Sequence, residues 1–82
     1  MKTKALIKKI NREIPEAKAV PMAEWDGSDD GIWFRGSENY VEEDQRCVFN
    51  GGWDVHPKLE KILNDAGWFA EPYDHGTLMA YN

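Results

Sequence analysis

Few residues in this chain have side chains suited to catalysis or metal binding. Cys47, His56 and His75 supply one thiol and two imidazoles, and Asp54 and Asp74 stand close to the histidines in sequence. A thiolate beside an imidazole can act as an activated nucleophile, and cysteine, histidine and carboxylate together are the donors of a zinc site. Neither chemistry finds its spacing. There is no Cys-x-x-Cys pair, no His-x-x-x-His on a helix and no glycine-flanked nucleophile. His56 precedes Pro57, where it serves the start of a helix, and His75 lies in a turn. Cys47, between Arg46 and Val48, reads as a small buried apolar residue. No glycine-rich loop opens a helix ahead of a Lys-Ser or Lys-Thr pair, so no phosphate cradle is encoded. The expectation is a non-enzymatic protein with no cofactor and no metal.

Asp26-Gly27-Ser28-Asp29-Asp30-Gly31 matches the first, third, fifth and sixth positions of a calcium-binding EF-hand loop. The twelfth position is Ser37 where the loop requires a bidentate glutamate, and Glu38 comes one place late. The residues ahead of it include Pro21 and read as a strand. Turn formation alone accounts for Asp, Gly and Ser here.

Charge is more informative than any motif. The net charge is -5, unevenly spread: residues 1–18 carry six Lys or Arg against two acids, and residues 19–57 carry nine acids against two Arg. Those nine are Glu24, Asp26, Asp29, Asp30, Glu38, Glu42, Glu43, Asp44 and Asp54. Surface acids aid solubility. The functional reading is an anionic patch that meets a basic surface on a partner protein and speeds association. Its expected contact residues are Glu24, Asp26, Asp29, Asp30, Glu38, Glu42, Glu43 and Asp44, with Trp33 or Tyr40 as the aromatic anchor. A small, acidic, cysteine-poor chain of this kind is similar in composition to phage-encoded inhibitors of host defence, including anti-restriction and anti-CRISPR proteins. That resemblance implies carboxylates standing where phosphates would, in the channel of a nucleic-acid-handling machine. The alternative is a self-associating module in which the basic first helix of one copy meets the acidic middle of another. Lys2, Lys4, Lys8, Lys9 and Arg12 read as a solvated helix face, and the overall charge opposes direct nucleic-acid binding.

One cysteine permits no internal disulfide, the N-terminal stretch lacks a signal-peptide core, and no run approaches a membrane span. A soluble cytoplasmic protein is expected.

The elements that position these residues follow from periodicity. Leu6, Ile7, Ile10 and Ile14 fall on one stripe of a helix from Lys4 to Ile14, capped by Thr3 and stopped by Pro15. Ala17–Trp25 reads as an edge or bulged strand because it contains Pro21, and Ile32–Arg35 as its hairpin partner. Gly36–Gln45 is too polar for a buried face and reads as a loop. Arg46–Phe49 is a short strand that turns at Asn50-Gly51-Gly52, with Trp53–Val55 as a possible return. Pro57–Ala66 is a second helix, with Pro57 at its first position and Gly67 past its end. Trp68–Tyr73 and Thr77–Tyr81 flank a turn at Asp74-His75-Gly76. The sum is one α+β domain over residues 1–82, two helices on one face of a small antiparallel sheet, in the order α-β-β-(β)-α-β-β.

Overall fold

Two helices, α1 (Thr3–Glu13) and α3 (Pro57–Asp65), lie against one face of a four-stranded antiparallel sheet, in a computed structural model that describes residues 3–27, 31–50 and 54–82. The stripes anticipated from sequence are the buried ones. Leu6 and Ile10 of α1, with Ile14 just beyond it, meet Leu59, Ile62 and Leu63 of α3 in a single core. α1 begins at Thr3, so this residue is the first of the helix and not its cap. Gly67 adopts the left-handed conformation (φ 79°) just past the second helix, as its place in the sequence predicts.

The strands are β1 (Ala19–Pro21), β2 (Gly31–Phe34), β5 (Phe69–Asp74) and β6 (Thr77–Tyr81), in the order β1-β2-β6-β5. The central pair is in register Gly31↔Tyr81 through Phe34↔Leu78. Each unit, α1-β1-β2 and α3-β5-β6, places its first strand outside and its second inside, so the topology is two-fold symmetric about the β2–β6 seam. Because side chains alternate across a strand, Ile32, Phe34, Leu78 and Ala80 face the helices and join the core. Trp33 and Met79, cross-strand partners between them, face the other way.

Three details differ from the sequence reading. First, the strand expected over Ala17–Trp25 is three residues long. Pro15–Ala17 is a 3-10 turn, Pro21 ends β1, and Ala23–Asp26 forms a four-residue helix, α2, closed by left-handed Gly27 (φ 82°). Pro21 does lie on an edge strand, as its missing amide proton requires. Second, Gly36–Gln45 is not a featureless loop. Tyr40–Val41 (β3) pairs with Arg46–Cys47 (β4) in a small second sheet, and Val41 and Ser37 are both buried. Third, the return strand near Val55 is a single bridge, Phe49↔Val55, with Gly51, Gly52 and Trp53 outside the described residues.

The two outer edges of the sheet are finished differently. On β1, the Asn11 side chain donates through Nδ2 to the Ala19 carbonyl (2.9 Å), and Oδ1 accepts the Ala19 amide (2.7 Å). No side chain in the described residues plays that part on β5. None of the described helices is long and apolar enough to cross a membrane.

Candidate interaction surface

The helix-free face of the sheet is lined with aromatic rings. The second hairpin has apolar residues on both of its faces: Ala70, Leu78 and Ala80 point to the core, whereas Phe69, Tyr73, Met79 and Tyr81 do not. Trp33 of β2 adds to the outward set, and Trp25 reaches it from α2. Trp25 packs edge-on against Trp33 (4.9 Å between ring centroids, 65°) and against Tyr73 (5.2 Å, 68°). Phe69 lies 6.2 Å from Tyr81, whose hydroxyl donates to Met79 Sδ at 3.5 Å. Met79 is 2% exposed on the face opposite α1 and α3. The tops of the rings remain in solvent, with Trp25 40%, Phe69 49% and Tyr73 61% exposed.

Acidic residues neighbour the rings along the chain. Glu24 precedes Trp25 on α2, and exposed Glu71 and Asp74 belong to β5. From Ile62 to Asn82 the chain has no Lys or Arg. Arg35 places its guanidinium 5.9 Å from the centre of the Trp33 ring, so a cation already occupies part of this aromatic surface.

The residues anticipated as contacts attach to separate parts of the fold. Glu24 and Asp26 belong to α2, whose Trp25 joins the aromatic group, and Asp29 and Asp30 lie outside the described residues. Trp33 sits inside the ring cluster. Glu38 belongs to the turn after β2, where its carboxylate lies against Gly76 of the β5–β6 turn. Glu42, Glu43 and Asp44 form the exposed turn between β3 and β4. Tyr40, 53% exposed, stands on β3 away from any described ring partner. Sequence reasoning passed over Trp25, Phe69 and Tyr73. The signal for the last two was present in the outward alternation Phe69, Glu71, Tyr73, whereas Trp25 depends on a helix that four residues do not announce.

The thiol and imidazole candidates are partly brought together. Tyr40, Gln45, Arg46, Cys47, Asn50, Asp54 and His56 line a cavity of about 260 Å3. His75 is exposed in the β5–β6 turn. His56 is 3% exposed, with both ring nitrogens engaged. Nδ1 accepts the Lys58 amide at 3.1 Å, capping α3, and Nε2 donates to Asp44 Oδ2 at 3.0 Å. With Nδ1 an acceptor, the neutral ring carries its hydrogen on Nε2. Neither nitrogen is left to take a proton from Cys47, so the imidazole does positional work: it starts a helix and ties the β3–β4 turn to it. No residue group among those described gathers three metal donors.

No known family model, curated protein or solved structure matches the chain.

Proposed function

We propose that this is a non-enzymatic binding protein that contacts a basic surface of a partner protein through the helix-free face of its sheet. The Trp25–Trp33–Tyr73 group, with Trp25 and Tyr73 exposed, is the observation that carries this reading. Aromatic residues anchor interfaces because they desolvate a large area with few torsions to freeze, and their faces accept Arg and Lys. Glu24, Glu71 and Asp74 add long-range attraction for the same cations. Arg35 over Trp33 supports the choice, since it shows the geometry that an incoming arginine would repeat.

The narrower form of this proposal is an inhibitor of a nucleic-acid-handling machine, in which the carboxylates of α2 and the β3–β4 turn occupy sites made for phosphates. Its support is charge alone. Self-association is the second reading, favoured by the exposed Lys4, Lys8 and Arg12 on α1.

The test is retention of proteins from a cell lysate on the immobilised chain at low and high salt, beside the Trp25→Ala/Trp33→Ala variant. Basic or nucleic-acid-binding proteins held at low salt by the parent chain and lost with the double variant are the expected result. Absence of such proteins at low salt, or equal retention by the variant, refutes the reading. Light scattering across ionic strength tests self-association, and a monomer at every salt concentration excludes it.

A further inference from the structure

We infer that the outer edge of β5, with the groove between it and α3, takes up an extended basic segment of a partner protein as a fifth strand of the sheet. The inference rests on the reading above for the class of partner and adds the mode of contact.

An antiparallel sheet leaves alternate N–H and C=O groups unpaired along each edge, a template for further strands unless something blocks it. β1 is blocked. It is three residues long, its Ala19 groups are both taken by the Asn11 amide, and Pro21 has no N–H to offer. β5 is six residues long, and among the described residues no backbone hydrogen bond joins Phe69–Asp74 to any segment but β6. Pro72 removes one donor from β5, and the pairing with β6 is irregular between Pro72 and Asp74, so the regular open stretch is Phe69–Pro72. The molecule has therefore closed the β1 edge with a dedicated side chain and left the Phe69–Pro72 stretch of β5 without one.

The surroundings of that edge specify its occupant. Val55, Glu60 and Asn64 on one side and Phe69, Ala70 and Pro72 on the other enclose a groove of about 220 Å3, and no lining residue is basic. Glu60, Glu71 and Asp74 are all exposed beside it, whereas the nearby Lys61 is paired with Asp65 at 3.1 Å. A second copy would set these carboxylates against their own equivalents, which is unfavourable across paired strands. An incoming strand rich in Arg or Lys meets opposite charge along its length. Its side chains would alternate between the aromatic face, beside Phe69, Glu71 and Tyr73, and the groove, beside Glu60 and Asn64. The fitting ligand is thus an extended segment in which basic residues alternate with apolar ones.

The test uses the full chain, isotope-labelled, and the peptide acetyl-Arg-Val-Arg-Tyr-Arg-Val-Lys-amide. Two further versions carry N-methyl groups on the odd or the even residues. Expected is slowing of amide exchange by about tenfold or more within Phe69–Tyr73, none at β1, and loss of about tenfold in affinity for one methylated version only. If both methylated versions bind as well as the parent, with shifts at the Trp25 and Trp33 indoles and no added protection on β5, strand addition is wrong while contact through the aromatic face stands. If the parent peptide produces no shift at about millimolar concentration, strand addition is also wrong, and the lysate experiment with Trp25→Ala/Trp33→Ala judges the face independently.

Discussion

Ser37 Oγ accepts the Leu78 amide at 2.9 Å, joining the turn after β2 to β6 across 41 residues of sequence. The same hydroxyl donates to the Phe34 carbonyl, so one buried side chain both closes its own turn and holds the neighbouring strand. Ser37→Ala leaves the buried Leu78 N–H without a partner. An unsatisfied buried donor costs about 1–3 kcal/mol, and urea denaturation of the variant should show a loss in that range with an unchanged slope. A smaller effect would mean that water reaches this turn.

Gly36 and Gly76 test how closely the turns approach their neighbours. A Cβ on Gly36 would overlap the Glu16 carbonyl oxygen, part of a backbone already fixed by the Gly36 amide donating to Ala17 (3.0 Å). A Cβ on Gly76 would overlap the Glu38 carboxylate, the free end of an exposed side chain that can swing aside. Gly36→Ala should cost about 3 kcal/mol or more and Gly76→Ala less than about 1 kcal/mol, since only the first forces backbone to move. Thermal unfolding of the two variants side by side gives the comparison, and equal losses would refute it.

The α1 and α3 stripes were legible because they obey one period, and the Pro57 and Gly67 boundaries because each residue has a backbone reason to be there. Pro21 correctly pointed to a sheet edge. The small β3–β4 sheet was not legible, since its hydrogen bonds are backbone to backbone and its buried member, Val41, sits among Glu38, Asn39, Glu42, Glu43, Asp44 and Gln45, which hide any alternation. The aromatic surface was half legible. Trp33 was picked out by its type and its nearness to acids. Trp25 becomes its neighbour, and Tyr73 the neighbour of Trp25, only through the turn of α2 and the pairing of β5 with β6, which are tertiary facts. Likewise, the helix-start role of His56 followed from Pro57, but its bond to Asp44 did not, because nothing local brings residues 44 and 56 together.

That His56–Asp44 contact divides into a strong half and a weak half. The Nδ1 bond to Lys58 satisfies an otherwise orphaned amide at the start of α3, and His56 is buried, so His56→Ala should lose about 2 kcal/mol or more from the lost cap and the cavity. Asp44 has a side chain 42% exposed, so water can replace its carboxylate at Nε2, and Asp44→Ala should lose about 1 kcal/mol, less than His56→Ala. His56→Asn retains a capping acceptor and should recover part of the loss. Chemical denaturation of the three variants decides the ranking, and an Asp44→Ala loss as large as that of His56→Ala would show the carboxylate to be the dominant partner.

Trp25 decides whether the aromatic face is a second core or a contact surface. Its two edge-on ring pairs contribute about 0.5–1.5 kcal/mol each beyond area, but the ring is 40% exposed. Loss of a buried core tryptophan costs about 3–5 kcal/mol. If the face exists for contact, Trp25→Ala should lower stability by less than the core value of about 3 kcal/mol, while cutting partner binding by more than about tenfold, the mark of an interface anchor. Trp25→Phe should keep both stability and part of the binding. Denaturation and binding measured on the same preparations separate the cases: a stability loss at the core value with partner binding unchanged would make the cluster a structural layer, and the docking surface would have to lie elsewhere.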